Sequence, residues 1–448
     1  MDSRTGQHAK PSRRRWRGAA IAGAAAVVLV AGLATANAAT TSGQATSGQS
    51  TSGATGVAAV VDDAEAFLDT LSSAQKAEAL LDLTQKNAVA WSNLACGTTC
   101  RPGIELGTLS SAQLAAAKSL LAAAMGTGDS VGFDQAEQIR SGDDVLAGGT
   151  TSTASPSAGT TSRPSAGSST STTTRPTGTA STDPQGGGSG PSSTTASLDS
   201  AVVAASEGPA SGGPSGRASA SARPTATQST GTEYGSGHYF LAFLGTPSDT
   251  GTWQLHFGGD HLAVNLTYAD GAVTSASPYF AGAEPVSFTS GGTTVQPLET
   301  MRAASAALAG SLTTAEAGTA SLGDSIDDVL LGPGDDGEFP QAKAGIAVSE
   351  LSADQQQLVL AAIEQWVAVA DDATAEELTQ AYAAELDQTY VAFAGGADFK
   401  TAGDYLRIDG PGVWIEFLCR TGTADADELA YQSVYRDHNR DYGGLFTF

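Results

Sequence analysis

The chain has 448 residues and a formal net charge of −25 at pH 7, because 47 acidic side chains outnumber 22 lysines and arginines. This excess of negative charge excludes nucleic acids and anionic membrane surfaces as partners, since a polyanion gains nothing by approaching such a surface. We interpret the acidity as a means of staying soluble outside the cell.

The N-terminus has the three parts of a secretory signal peptide. A basic segment is followed by an apolar stretch over residues 19–33 and by the small-residue site Ala36-Asn37-Ala38. The apolar stretch is shorter than the roughly 20 residues that span a bilayer, which makes an uncleaved anchor the less favoured alternative. We therefore predict a signal peptide over residues 1–38, cleaved after Ala38, and secretion of the mature chain. The pair Arg13-Arg14 leaves open whether export follows the general or the twin-arginine route.

Two segments have a low-complexity composition. Residues 39–60 begin with repeated Thr, Ser, Gly and Gln, and we predict a flexible leader there. Residues 148–231 consist almost wholly of Ser, Thr, Gly, Ala and Pro, with no apolar periodicity to offset the entropy cost of ordering them. We predict that this second segment is disordered, either as an O-glycosylated stalk or as an unmodified spacer. A helical part over 61–147 and a mixed part over 232–448 remain.

Four helix starts share one pattern, in which a leucine precedes a capping box. The hydroxyl accepts a hydrogen bond from the third helical residue, whose own side chain reaches back to the cap. Ser72 and Ser110 are 38 residues apart, and Thr313 and Ser352 are 39 apart. The spacing indicates an internal repeat, but the intervening residues do not repeat, and both interpretations stay open. The four boxes are Leu71-Ser72-x-x-Gln75, Leu109-Ser110-x-x-Gln113, Leu312-Thr313-x-x-Glu316 and Leu351-Ser352-x-x-Gln355.

The three cysteines have different surroundings. Cys96 and Cys100 bracket Gly-Thr-Thr, a flexible spacing that can close a small ring, and in a secreted chain we predict a disulfide between them. Reduced thiols are the alternative. Cys419 lies on the apolar face of an alternating stretch, which indicates a buried structural thiol.

The predicted strands are confined to the second half of the chain. They are a strand over 239–244, hairpins over 253–268 and 405–419, and a last strand over 431–437. With helices before and between them, the class is α+β, with helices packed on one face of a mostly antiparallel sheet.

The first hairpin, WQLHFGGDHLAVNLTY, contains two histidines. A two-residue turn at Gly258-Gly259 predicts that His256 lies directly opposite His261 on the polar face, while the apolar residues from Trp253 to Tyr268 share the other face. Two imidazoles supply half of a tetrahedral shell, so a divalent metal at His256 and His261 is one hypothesis and a solvated sheet face the other.

The polar face of the other strands carries further candidates. Arg407 and Glu416 belong to the second hairpin, and Arg436 and His438 follow in a cluster of charged and aromatic residues near the C-terminus. An arginine–carboxylate network that fixes the C-terminus is the structural interpretation. The functional one is a shared pocket lined by His261, Asn265, Arg407, Glu416 and Arg436, with His256 peripheral.

Several long motifs, in order, resemble a known family. They are Tyr239-Phe-Leu-Ala-Phe-Leu-Gly-Thr-Pro, Trp253-x-x-x-Phe-Gly-Gly-x-His261-Leu-Ala-Val-Asn265, Tyr279-Phe-Ala-Gly-Ala-Glu284-Pro, Asp409-Gly-Pro-Gly-Val-Trp-Ile-Glu416-Phe and Tyr435-Arg-Asp-His. Together these residues resemble the domain-of-unknown-function family 3500, over residues 62–146 and 232–448. The resemblance implies a single discontinuous domain with 148–231 as an insertion, and it brings no established reaction. It also leads us to expect histidines at three positions where this chain has Asp260, Ala430 and Gln432.

No motif in the sequence names a reaction. The leading hypothesis is a secreted protein with a polar sheet-face pocket and a hydrolytic or metal-dependent activity. In it, His261, Glu416 and Arg436 are catalytic, and Asn265, Arg407 and His438 bind the substrate. The alternative is an extracellular module that binds a small or extended ligand without catalysis.

Overall fold

The computed structural model describes residues 56–148 and 234–448. The predicted signal peptide, most of the leader and nearly all of the predicted insertion lie outside these residues. The first helix begins at Val57, so the prediction that the leader extends to residue 60 is wrong. Val60 and Val61 are buried, and packing of this apolar face orders the helix from its first turn.

The elements before the insertion are mostly helical. Two very short strands occur among them, which corrects the prediction that strands are confined to the second half. The elements are α1 (Val57–Thr70), α2 (Ser73–Ala79), β1 (Leu80–Leu81), α3 (Gln85–Ala88), β2 (Ile104–Glu105), α4 (Ser111–Ala124) and α5 (Gly132–Gly148).

The chain after the insertion alternates between sheet and helix. It begins with β3 (Phe240–Leu244), β4 (Trp253–Gly258), β5 (Leu262–Ala269), β6 (Ala272–Ser275) and β7 (Tyr279–Ala283). A separate hairpin consists of β8 (Phe288–Ser290) and β9 (Thr293–Val295). There follow α6 (Glu299–Ser311), α7 (Thr314–Ala320), β10 (Ile346–Ala347), α8 (Ala353–Val367), α9 (Asp372–Ala384), β11 (Tyr390–Ala394), β12 (Tyr405–Asp409), β13 (Val413–Thr421) and β14 (Leu429–Asp437).

All four predicted capping boxes are formed. At Ser72, Ser110, Thr313 and Ser352 the side chain accepts a hydrogen bond from the backbone amide three residues on. The Gln or Glu side chain of that third residue accepts one from the backbone amide of the cap. Each box therefore satisfies backbone donors that the first helical turn leaves unpaired. No helix among the described residues combines the length and apolar character needed to cross a bilayer.

One large sheet organises the fold. Its main order is β1-β3-β4-β5-β7-β14-β13-β12-β11-β10, and neighbouring strands are antiparallel except for the short β1–β3 pair. The apolar face of both predicted hairpins packs against the helices in the main core. The α+β class and the mostly antiparallel sheet are thus confirmed.

The other face of the sheet is covered as well. A second core cluster there contains Ala88, Trp91, Val329 and Tyr442, from three separate connecting segments, packed on strand residues such as Phe280. The polar face that the sequence indicated is therefore mostly buried instead of open to solvent. The covering segments lack a regular apolar period, so they could not be predicted from the sequence pattern.

The register of the first hairpin differs from the prediction. Gly258 pairs with Ala263, and Gly259 donates to the carbonyl of Leu262, so Asp260 and His261 form the turn. His256 therefore lies opposite Asn265, not opposite His261. The shift is an even number of residues, so the predicted division of side chains between the two faces is unchanged.

The sheet is built from two copies of one arrangement. The strands β3, β4, β5 and β7 run from one edge to the centre, and β11, β12, β13 and β14 do the same from the other edge. At the centre, Tyr279 of β7 pairs with Tyr435 of β14. In each copy a two-residue strand, β2 or β10, pairs with the outer strand and leads through a 3-10 turn into a capped helix.

Individual contacts repeat along with the elements. Arg101 donates to the carbonyl of Gly259 at 2.8 Å, and Lys343, 242 positions later, donates to the equivalent carbonyl of Gly410 at 2.7 Å. Ile104 and Ile346 likewise pair with Leu241 and Val391. The capping-box spacing therefore reflects a repeated order of elements, although the residues between the boxes have diverged.

The repeat bears on the predicted insertion at residues 148–231. In the second copy a single residue, Glu385, separates α9 from the 3-10 turn at Leu386–Gln388 that leads into β11. In the first copy the equivalent turn, Ser236–His238, lies against the end of α5, where the Ser236 amide donates to Asp144 Oδ1 at 2.7 Å. The two chain ends that flank the predicted insertion therefore meet.

We expect the segment between these ends to be dispensable for folding. We replace residues 149–232 by a four-residue linker of Gly and Ser. Thermal unfolding should stay cooperative, with a midpoint within about 3 °C of that of the parent. The reason is that a long loop adds little closure entropy once its ends are held together. Calorimetry of the parent and the shortened protein measures this. Loss of soluble protein or of the cooperative transition would show that the segment is structural.

Candidate functional site

The turn of the first hairpin borders a small cleft. The cleft has a volume of about 130 Å³, and both turn residues, Asp260 and His261, line it. The other lining residues come from the segment before the disulfide, the start of the post-insertion chain and the β13–β14 edge: Asn93, Leu94, Ala95, Tyr234, Glu284, Arg420, Thr423, Ala430, Tyr431 and Gln432.

An aspartate on α5 orients the histidine of the turn. Asp143 Oδ1 lies 2.5 Å from His261 Nδ1, and its other oxygen accepts a hydrogen bond from the Tyr239 hydroxyl at 2.6 Å. Asp143 is buried, whereas the His261 side chain keeps 12% of its surface exposed. Because Nδ1 faces the carboxylate, Nε2 is the ring nitrogen left for a ligand, and it makes no hydrogen bond to the described residues.

Packing fixes the plane of the imidazole. Tyr234 stacks on His261, with ring centroids 6.0 Å apart and planes within 10° of parallel. On the strand β7, a Cβ at Gly282 would lie 3.1 Å from His261 Cδ2, so the ring rests against bare backbone. His261 is thus held by a hydrogen bond, an aromatic ring and a glycine.

The surrounding carboxylates favour the protonated imidazole. Burial lowers the pKa of His261, but the charges of Asp143, Glu284 and Asp260 outweigh it and raise the pKa above its ordinary value. Burial, together with the same carboxylates, raises the pKa of Tyr234 to about 12, so this phenol stays protonated.

The second turn residue is a buried carboxylate. Burial raises the pKa of Asp260 to about 6, although Arg101, 3.3 Å away, favours the charged form. Arg101 also donates to the carbonyl of Leu94 at 2.6 Å and thereby ties one wall of the cleft to the turn. Burial therefore brings the pKa of Asp260 closer to neutral pH than that of an exposed aspartate.

The predicted disulfide between Cys96 and Cys100 is formed. It closes the ring directly after the wall residues 93–95, and the Arg101 guanidinium lies 3.6 Å from Cys96 Sγ. The third cysteine, Cys419, is buried and free, as predicted.

Glu284 organises the far side of the cleft. Its two oxygens accept from the backbone amides of Thr423, Ala424 and Asp425 at 2.9, 2.6 and 3.2 Å. The carboxylate therefore fixes the connection between β13 and β14 while its charge contributes to the field at His261.

The residues predicted to share one pocket are not brought together. The His261 carbonyl accepts from Gly282, which pairs with Gln432, and Arg436 lies four residues further along β14. Strand spacing places the backbones of His261 and Arg436 roughly 16 Å apart.

Glu416 and Arg436 are held inside the protein. Glu416 is fully buried and accepts from the backbone amides of Leu330 and Leu331, the Tyr405 hydroxyl and the Trp414 indole. Arg436 donates to two carbonyls and pairs with Asp336 and Asp441. These contacts agree with the arginine–carboxylate network considered from the sequence and leave neither side chain facing the His261 cleft.

The other predicted residues also lie elsewhere. Asn265 is buried and donates to the carbonyl of Pro278 at 2.7 Å. His256 is buried, and burial together with Arg101 lowers its pKa to about 4. Arg407 and His438 flank the ring of Trp414, at 5.3 and 6.3 Å from its centroid.

The predicted metal pair is not assembled. His256 faces the covered side of the sheet, whereas His261 is in the turn with Nδ1 engaged by Asp143. Among the residues that the structure describes, no group of three or more His, Cys, Asp or Glu side chains is arranged to hold a metal ion.

The three positions singled out by the resemblance converge. Asp260, Ala430 and Gln432 all line the cleft beside His261. Asp143 was missed from the sequence, although one signal was present: it falls on the buried stripe of α5, with Ala136 and Ile139, where a carboxylate needs a partner. Glu284 belongs to one of the motifs that resemble the family, but neither it nor Tyr234 carried a signal of its position beside His261.

Comparison with known proteins gave one match. Comparisons with curated proteins and with solved structures gave none. A family described as protein of unknown function (DUF3500) matches residues 53–444, which is nearly the whole chain. The chain therefore belongs to the DUF3500 family.

Proposed function

We propose that the His261 cleft is an acid–base site of a secreted hydrolase acting on a small ligand. The observation that carries the proposal is the 2.5 Å contact between Asp143 Oδ1 and His261 Nδ1, in a cleft where Nε2 remains available. An imidazole oriented by a buried carboxylate in this way is suited to take a proton from water or a hydroxyl group.

The proposed step uses only groups of this chain. Nε2 of His261 takes a proton from a water molecule as the water oxygen forms its bond to the ligand, and Asp143 stabilises the resulting imidazolium. The same proton then passes to the leaving group as its bond breaks. Asp260, with a pKa of about 6, is a second proton carrier at the cleft.

The divalent metal considered from the sequence has a poor set of donors here. Asp260 is paired with Arg101, and both oxygens of Glu284 are engaged by backbone amides. His261 offers one nitrogen, because Asp143 engages the other. The residues present do not fit a metal centre, and no step is assigned to one.

Ligand binding without catalysis is the second candidate. It is favoured by the cleft positions Asp260, Ala430 and Gln432, where the resemblance leads us to expect histidines. With those imidazoles replaced, the cleft keeps a stacked aromatic ring and a polar wall, which suffice to hold a small polar molecule.

Hydrolysis of chromogenic p-nitrophenyl esters, phosphates and glycosides by the mature protein tests the proposal. We expect turnover of one class to fall about 10²- to 10⁴-fold in His261→Gln, the range that general-base catalysis contributes. Activity of the parent should fall as the pH drops through the raised pKa of His261, because the protonated imidazole accepts no proton.

His238→Gln is the matched control. His238 contacts a carboxylate in the same manner, Nδ1 to Glu105 Oε1 at 2.7 Å, but it does not line the cleft. Its loss should leave turnover unchanged. Equal activity in both variants would refute the acid–base role, and saturable binding of a compound that is never turned over would favour the second candidate.

A further inference from the structure

A buried arginine in the second copy has no side-chain acceptor among the described residues. Arg407 of β12 is only 6% exposed, yet its side chain makes no hydrogen bond or ion pair with those residues, and its Nε is buried without a partner. Its guanidinium lies over the face of Trp414, 5.3 Å from the ring centroid. By contrast Arg436, which is fully buried, has two carbonyl and two carboxylate acceptors.

A buried guanidinium nitrogen without an acceptor destabilises the fold, because no hydrogen bond offsets the free energy lost when it leaves water. The nearest carboxylate across the strand pair is Glu416, whose oxygens are already engaged by two amides, a phenol and an indole. Among the described residues, none supplies a hydrogen-bond acceptor for the Arg407 side chain, although Glu416 lies directly opposite it.

Two further basic groups lie close by. Asp409 is two residues along the same strand and face, roughly 7 Å from Arg407. Its Oδ1 accepts from Lys343 and lies 3.2 Å from His438 Nε2. The ring of Phe339 stacks on His438 with centroids 3.9 Å apart. Asp409 thus contacts a lysine and a histidine, and the Arg407 guanidinium, two residues away along the strand, contacts the ring of Trp414.

The repeat shows that this cluster of basic side chains belongs to the second copy alone among the described residues. Arg101, the counterpart of Lys343, pairs with the turn carboxylate Asp260. The equivalent turn position in the second copy is Pro411, which has no charge to offer. Lys343 pairs with Asp409 instead, and no described residue forms an ion pair with Arg407.

We propose that Arg407, with Lys343 and His438, forms an oxyanion-binding site, distinct from the His261 cleft, for the carboxylate or phosphate group of an extracellular ligand. A planar guanidinium binds two oxygens of such a group side by side, and Lys343, whose side chain is 30% exposed, offers a second cation that solvent reaches. The aromatic rings of Trp414 and Phe339 border the same place.

The experiment measures anion binding by the mature protein. Sodium phosphate and sodium acetate are each titrated in a calorimeter at constant ionic strength, with chloride as the balancing ion. We expect one of the two anions to bind the parent protein with a Kd in the millimolar range or below. The same anion should bind Arg407→Gln at least ten-fold more weakly. Arg302→Gln, which removes an arginine paired with Glu299, should bind as the parent does.

Lys343→Gln keeps the test decisive if Arg407→Gln does not fold. Lys343 is partly exposed, so its loss should preserve the fold and weaken the anion several-fold. His261→Gln should bind the anion as the parent does, which separates this site from the proposed acid–base function. Absence of binding at 10 mM by the parent, or unchanged affinity in both Arg407→Gln and Lys343→Gln, would overturn the proposal.

Discussion

Replacing Arg436 by methionine is expected to lower the free energy of unfolding by about 3–5 kcal/mol, the usual cost of removing one partner from a buried ion pair. The guanidinium is fully buried and pairs with Asp336 at 2.8 Å and Asp441 at 3.1 Å. Methionine fills most of the volume but leaves both carboxylates without their cation. It also frees the carbonyls of Leu331 and Gly332, to which Arg436 donates at 2.9 Å each.

Urea denaturation followed by tryptophan fluorescence measures this loss. Arg302→Met is the control, because Arg302 pairs with Glu299 on a partly exposed helix surface and should cost about 1 kcal/mol or less. A loss for Arg436→Met no larger than that of the control would show that the network around Arg436 does not stabilise the fold.

Replacing Glu416 by leucine is expected to cost at least about 3 kcal/mol, because it leaves several buried donors unsatisfied at once. The carboxylate accepts from the amides of Leu330 and Leu331 and from the side chains of Tyr405 and Trp414, at 2.6 to 2.9 Å. These bonds attach the 330–331 segment to the covered face of the sheet.

Glu416→Gln should cost less, about 1–2 kcal/mol, since the amide oxygen still accepts while the amide nitrogen meets donors. Burial also raises the pKa of Glu416, which makes a neutral replacement more tolerable. The same denaturation experiment compares both variants with Glu376→Gln, on the exposed side of α9. A leucine variant as stable as the parent would contradict a structural role and reopen the catalytic one.

The parts of the fold that follow from local patterns were predictable. A leucine followed by a capping box marked each of the four helix starts, because the cap and its partner are only three residues apart. Alternation assigned the large apolar residues of the first hairpin to the helix-covered face, as the structure confirms.

The hairpin register was not predictable from alternation. A turn at Gly258-Gly259 and one at Asp260-His261 place the same residues on the same faces, so the apolar pattern does not distinguish them. The glycines favoured the first turn by composition alone. As a result, His261 was predicted to lie in a strand, whereas it lies in the turn.

The candidate site depends on contacts distant in the sequence. Asp143 and His261 are 118 positions apart and lie on opposite sides of the insertion, so no local rule joins them. The connecting segments that cover the second face have no periodic pattern either. For this reason the sequence identified His261 but paired it with Glu416 and Arg436 instead of Asp143 and Glu284.

The two-copy construction of the sheet has a consequence for the history of the chain. Repeated elements that meet at a central strand pair, Tyr279 with Tyr435, are what a head-to-tail duplication of a half-length gene produces from an ancestral homodimer. Such an ancestor presents every surface twice, so after fusion one copy is free to diverge while the other retains its role. The histidine turn of the first copy and the Gly410-Pro411-Gly412 turn of the second would then be descendants of one loop, and the long insertion a change that only one of the two copies had to accommodate.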